Sequence, residues 1–262
     1  MKFETLELTI EDGLAHIVLN RPNEANSLNL ALAKDYLAAA IECDTNPDVR
    51  AVLLSATGKI FCAGGDLNYM SSQGDKVPSA LKEVTALLHA AIATLARTDA
   101  PLVIAVNGVA AGAGMSISAS GDIVLAGASS SFTMAYTAAG LAPDASSSYY
   151  LPRVIGLRKT QELMLTNRTI DAEEALEIGL VTKVVPDDEL LAEAKKLAQS
   201  FAKGPTKAYG MVKHLLINSL TNPLETQMEL ESRAITATGG TEDGREGINA
   251  FLEKRKPNFK GR

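Results

Sequence analysis

In "AGLAPDASSSYYLPR", Ala139–Arg153, one acid, Asp144, stands between a proline and a run of small polar residues. An aspartate at such a junction caps a helix, because its carboxylate accepts the unpaired N–H groups of a first turn. The same carboxylate, placed beside a ligand, would be a base or a nucleophile. Two glycine-rich stretches have the makings of its counterpart. "FCAGGDL", Phe61–Leu67, follows the apolar run "AVLLSAT", and "NGVAAGAGMS", Asn107–Ser116, follows "PLVIAV". Small residues between a strand and a helix let backbone N–H groups face a cleft, where they stabilise developing negative charge. Tight packing of strand against helix accounts for the same glycines. Neither stretch is a phosphate loop, since G-x-x-x-x-G-K-[ST] is absent and "GAGMSI" lacks the last glycine of G-x-G-x-x-G.

Other catalytic patterns are missing. There is no G-x-S-x-G and no H-E-x-x-H, and the histidines are scattered at His16, His89 and His214. His16 in a strand and His214 in a helix read as structural. His89, on the largely apolar stretch "EVTALLHAAIATL", reads as a satisfied structural histidine unless a partner is found for it. Cys43 and Cys62 form no C-x-x-C pair, and no metal-ligand cluster emerges.

The surrounding chain is ordinary globular material of 262 residues, 46% hydrophobic and 21% charged. A net charge of −6 disfavours a nucleic-acid partner. "MKFETLELTI" alternates like a strand and is not a signal peptide. "APLVIAVNGVAAGAGMSISAS" is broken by Asn107 and glycines, so no membrane span and a cytoplasmic location are expected.

The elements that must position these residues follow from periodicity. "FETLELTI" and "LAHIVLN" predict a hairpin closed at "EDG", and "LALAKDYLAAAIECD" a helix. "VRAVLLSAT", "PLVIAV" and "DIVLAG" predict buried strands, with "SSQGDKVPS" as a polar, mobile loop and a helix from Ala80 to Arg97. After Asp144 everything reads as helix, beginning with "SSSYYLPRVIGLRKTQELMLT". The expected class is α/β with an all-helical C-terminal third, divided as residues 1–200 and 201–262.

Taken in order, "FCAGGDL", "PLVIAVNGVAAGAGMS", "GDIVLAGASSSFTMAYTAAGLAPD", "TNRTIDAEEALEIGLVTKVV" and "GREGINAFLEKRKPNF" resemble the enoyl-CoA hydratase/isomerase (crotonase) superfamily. The resemblance covers Ile17 to Phe259. It implies a spiral of ββα turns with a helical C-terminal trimerisation region, and a homotrimer or homohexamer. It also implies an acyl-CoA thioester substrate, with no cofactor beyond the CoA the substrate carries. The thioester would be polarised by two backbone N–H groups, carried over as Ala63 and Ala113, with Gly64 and Gly112 beside them. CoA contacts are implied at Asp66 and Leu67, and at Phe251 and Lys254, the latter two often serving a neighbouring subunit.

Hydratases of this superfamily carry two glutamates, at positions held here by Ser116 and Tyr136, which cannot form an acid/base pair near neutral pH. Two-glutamate hydration is therefore not expected. That leaves Asp144, at the "G-L-x-P-D" position where isomerase branches, including ring-epoxide phenylacetyl-CoA isomerases, keep a lone base. Aryl-CoA dehalogenases also keep an Asp there, as a nucleophile paired with a His that corresponds to His89. Those enzymes carry a Trp where Tyr136 stands, and Tyr136 is suited to stack on an aromatic acyl group. A proton-shifting isomerase is the leading expectation. The alternatives are a dehalogenase, a silent acyl-CoA binder and an RNA-binding homologue.

Overall fold

A computed structural model describes residues 2–262. The chain opens with an antiparallel hairpin, β1 (Leu6–Glu11) and β2 (Leu14–Leu19). Asp12 and Gly13 turn it at φ +51° and +83°, the left-handed pair that a two-residue hairpin turn of matching twist requires. α1 (Leu30–Thr45) follows, its first turn capped by Asn29 Oδ1, which accepts the Leu32 N–H at 2.9 Å.

From there one move repeats three times. A long buried strand is followed by a short one and then by helix. β3 (Ala51–Ala56) leads to β4 (Ile60–Cys62), α2 (Leu67–Ser72) and α3 (Val77–Arg97). β5 (Leu102–Val106) leads to β6 (Val109–Ala111) and α4 (Ala113–Ser118). β7 (Ile123–Gly127) leads to β8 (Ser131–Thr133), α5 (Ser147–Val154) and α6 (Leu157–Thr166). β9 (Ile170–Asp171), α7 (Ala172–Glu177), β10 (Lys183–Val185) and α8 (Leu190–Ala202) complete the two sheets and their cover. α9 (Thr206–Ser219), α10 (Leu224–Gly239) and α11 (Glu242–Leu252) end the chain.

The long strands form a six-stranded sheet, β1-β2-β3-β5-β7-β10, parallel from β2 onward. The short ones form a second sheet, β4-β6-β8-β9, parallel except for β9. Each turn of chain thus adds one strand to each sheet, which is the expected spiral of ββα turns.

Both faces of the large sheet are covered, so its strands are apolar throughout rather than alternating. The pleat sends Val52, Leu54, Ile104 and Val124 into the core shared with α1 and α3. It sends Leu53, Val103 and Leu125 toward Leu190, Ala194 and Ala198 of α8. At roughly 25 cal/mol per Å² of apolar surface removed from water, these two layers are the main stabilising term.

The structure departs from the sequence reading in three places. Residues 71–79 are largely helical rather than loop: α2 ends at Ser72, and a 3₁₀ turn, Gly74–Lys76, runs directly into α3, with Pro78 in its first turn where no N–H is needed. The helix expected from Ser146 to Thr166 is two, broken at Gly156, whose φ of +77° no helix accepts. The C-terminal third is not all helix, since β9 and β10 return to close the two sheets.

Gly74–Arg97 is the one helix among the described residues long and apolar enough to cross a membrane. Within the fold its stripe Ala80, Val84, Leu88, Ala91, Ile92 and Leu95 is buried, and α1 is its main neighbour.

His16 lies in β2 with Nε2 2.8 Å from Ser55 Oγ. Burial, and secondarily the charge of Lys195, bring it down from 6.5 to about 4. The folded chain therefore refuses a proton that the unfolded chain accepts. The stability this neutral ring contributes is complete above pH 6.5 and is lost as pH falls toward 4. Thermal unfolding at stepped pH should show His16→Gln losing less of its melting temperature than the wild type between pH 6.5 and 4; equal slopes would contradict this.

Candidate active site

The parallel strands β4, β6 and β8 end side by side, and the loops leaving their carboxyl ends meet around one cavity, the usual place for a ligand in a parallel arrangement. The cavity measures about 320 Å³. Its floor is Gly64, Gly65, Gly112 and Ala113. Leu81, Val84, Thr85 and Leu88 of α3 form one wall, with Leu28, Leu67, Met70 and Leu141 around them. Ala135, Tyr136 and Asp144 close the far side. Among the lining residues Asp144 is the sole carboxylate.

The first loop is fixed against the segment before α1. Leu28 donates its N–H to Gly64 O at 2.7 Å and accepts the Asp66 N–H at 2.9 Å. This is a parallel bridge between Leu28 and Gly65, and in such a bridge the N–H of the bridged residue points away from its partner. The Gly65 N–H meets no acceptor among the described residues, and Gly65 faces the cavity. Ala63 is different. Its N–H donates to Ala25 O at 3.0 Å and is therefore not free for a ligand. The free N–H expected at Ala63 is found two residues further on, at Gly65, although Ala63 itself still lines the cavity.

Asp66 anchors this loop rather than facing it. Its Oδ1 caps α2 by accepting the Tyr69 N–H at 2.9 Å, and its Oδ2 takes Arg21 Nη2 at 3.1 Å. Burial alone would raise its pKa, but the Tyr69 amide and the Arg21 guanidinium outweigh that and hold it below the usual carboxylate range. Asp66 is not among the cavity-lining residues and its carboxylate is engaged in this anchoring; Leu67 does line the cavity and is exposed.

The second loop turns at Gly112, φ +50°, whose N–H donates to Thr133 O at 2.9 Å. Ala113 is the first residue of α4, where no preceding carbonyl is available, and its N–H also has no partner among the described residues. The two loops touch through glycines. A β-carbon on Gly64 would lie 2.9 Å from Ala111 O, and one on Gly114 only 2.2 Å from Cys62 O. Gly64, at φ +94°, is also in a conformation other residues avoid.

The third loop carries Asp144, and here the helix-cap reading fails. α5 begins at Ser147, after Ala145 and Ser146 at φ +49° and +64°, and the Asp144 side chain caps nothing. Instead Asp144 Oδ1 accepts the Tyr136 hydroxyl at 2.6 Å. Burial first, and then the charge of Asp144, push the Tyr136 phenol far above its ordinary range, so it remains a donor. Ser116 Oγ lies 3.1 Å from the Tyr136 oxygen. The two positions where hydratases carry glutamates are thus hydrogen-bonded to each other. Ser116 is fully buried behind Tyr136 and does not line the cavity.

Two successive left-handed non-glycine residues cost roughly 1–3 kcal/mol each and persist only where neighbours hold them. His89 is one such neighbour, because its Nε2 accepts the Ala145 N–H at 3.1 Å. That nitrogen's lone pair is engaged and His89 does not line the cavity, which removes the basis for reading it as a general base. Phe251 and Lys254 lie exposed at the end of α11, outside the cavity of this chain.

The sequence reading missed Gly65 and the α3 wall. The wall had a signal in the apolar spacing of Leu81, Val84 and Leu88. The choice between Ala63 and Gly65 had none, because it depends on which residue bridges Leu28.

The spiral of ββα turns thus brings to one apolar cavity two amide N–H groups that have no acceptor among the described residues, and a single carboxylate. The family model for enoyl-CoA hydratase/isomerase matches residues 9–262, and the chain belongs to that family. A probable enoyl-CoA hydratase of Rhodobacter capsulatus is 37% identical, over all of both chains. The 1,2-epoxyphenylacetyl-CoA isomerase of Escherichia coli is 36% identical over 97% of each. A 4-chlorobenzoyl coenzyme A dehalogenase of Arthrobacter is 32% identical over 93% of this chain and 88% of its own. The crystal structure of a putative enoyl-CoA hydratase/isomerase from Mycobacterium abscessus superposes with a TM-score of 0.94 at 36% identity, covering 98% of this chain and all of that one.

Gly114→Ala should force the loops apart at Cys62 and cost about 1–3 kcal/mol, lowering the melting temperature by roughly 5 °C. Gly239→Ala, which meets nothing within 4 Å, serves as the control. Equal melting temperatures for the two variants would show that the loop contact is not the constraint described.

Proposed function

We propose that the chain is an acyl-CoA isomerase in which Asp144 shuttles a proton between two carbons of the acyl group. In this reading the free N–H groups of Gly65 and Ala113 receive the thioester oxygen as it gains negative charge. Losing one such donor typically costs about 2.7–4 kcal/mol of transition-state stabilisation. The observation that carries the reading is that Asp144 is the sole carboxylate lining the cavity, with Oδ1 bonded to Tyr136 and Oδ2 without a partner among the described residues.

One carboxylate suffices for isomerisation, because protonation converts the base into the acid that the second step needs. Addition of water by two carboxylates finds no second one here. The strained turn at Ala145 and Ser146 also favours chemistry over passive binding, since such strain collects at working sites. A dehalogenase would use Asp144 as nucleophile and His89 as base, and what weighs against it is the Ala145 amide already held by His89 Nε2.

Asp144→Asn should reduce turnover of 3-enoyl-CoA by about 10²–10⁴-fold, the usual weight of a positioned acid–base group, while leaving CoA-ester binding intact. Stopped assays of double-bond migration with parallel calorimetry would measure both. Undiminished turnover in the variant would sink the assignment.

A further inference from the structure

We propose that Tyr136 and Ser116 are positioning residues that bind one oxygen of Asp144 in a closed hydrogen-bond chain, so that the proton taken from the substrate is the proton returned to it. The proposal rests on the reading of Asp144 as the shuttling base.

Proton count dictates the direction of the chain. The Tyr136 hydroxyl has one hydrogen, and at 2.6 Å it goes to Asp144 Oδ1. The phenol oxygen is then left as an acceptor, 3.1 Å from Ser116 Oγ. Ser116 also has one hydrogen, and two acceptors within reach: the Tyr136 oxygen and Gly112 O, the latter at 3.1 Å. With Asp144 charged, Ser116 donates to Tyr136 and Tyr136 to Asp144, every dipole aimed at the carboxylate. Beyond Ser116 the chain ends, because its one hydrogen is spent on Tyr136 and the Gly112 carbonyl accepts the Ser116 backbone N–H at 3.0 Å. Ser116 has no exposed surface, so the chain ends inside the protein and offers no route by which a proton reaches solvent.

The backbone holds this arrangement from each side. Tyr136 sits after Ala135 at φ +54°, in a three-residue turn closed by the Tyr136 N–H to Met134 O at 2.6 Å. The polar side chains that reach Asp144 and Ala145 from other elements are Tyr136, from the loop after β8, and His89, from α3, while Ser146 Oγ donates locally to Ala145 O. Ser116 reaches it from α4 through Tyr136. Cationic side chains are absent from the cavity lining. Asp144 Oδ2 is thus the oxygen available to the substrate.

In the step itself, a C–H bond α to the thioester breaks and an O–H bond forms on Oδ2. The electron pair passes into the dienolate held by the two loop amides. The same O–H then breaks as its proton joins the carbon two positions along, leaving the conjugated thioester and the carboxylate. No other reactant is needed.

Single turnover of 2,2-dideuterio-3-enoyl-CoA in ordinary water, with the product read by mass spectrometry, tests this. The wild type should carry the label to the new position. Tyr136→Phe frees Oδ1 to take water and should retain the label roughly tenfold less, with kcat reduced and KM little changed. Ser116→Ala should lose label in the same sense but less, and it remains available should Tyr136→Phe unfold. Retention in both variants equal to wild type, or a wild-type product with only solvent hydrogen at the newly protonated carbon, overturns the proposal while leaving the base assignment standing. No turnover by the wild type overturns both.

Discussion

The backbone amides that the cavity presents depend on how closely two loops approach each other. Gly64 sits against Ala111 and Ala113, and Gly114 sits against the Cys62 carbonyl, at distances where no β-carbon fits. Only that approach brings the Gly65 and Ala113 amides to one floor. The constraint propagates outward. β4 and β6 must lie adjacent and parallel, which places β3 and β5 adjacent in the large sheet, and the ββα spiral is the chain path that satisfies both. Arg21, paired with Asp66, and Asn26, bonded to Thr57 and Ile60 carbonyls, tie the first loop from behind.

Against this rigid half stands a half made of side chains. Asp144 reaches the cavity from a turn that would prefer glycine or asparagine at Ala145 and Ser146, and that is held by a histidine ring and a phenol. The strain is local, and the fully buried Ala145 leaves it no room to relax outward. A carboxylate whose backbone and one oxygen are both fixed loses little freedom when a substrate arrives.

The long elements were legible because their periodicity is strong. The hairpin, α1 and the strands at β3, β5 and β7 lie where alternation and apolar runs put them. The short strands β4, β6, β8, β9 and β10 were not, since two or three residues carry no period and their pairing is settled by the neighbouring sheet. Family resemblance located the loops and Asp144, but not the contacts they make. Composition favours a cap at Asp144, yet two left-handed residues separate it from the helix. Ala63 and Gly65 are chemically alike in sequence, and only the bridge to Leu28 tells which amide is spent.

The division between a backbone floor and a side-chain rim has a consequence for how such a protein changes over evolutionary time. Peptide amides are common to every residue but proline, so mutation at Ala113 or beside Gly65 leaves the two free amides largely as they were, provided the chain still closes. Ser116 lies on the second turn of the spiral and Tyr136 and Asp144 on the third, and all three meet through their side chains. A reaction inherited from one ancestor can therefore be rewritten at three addresses while the fold is carried forward unchanged.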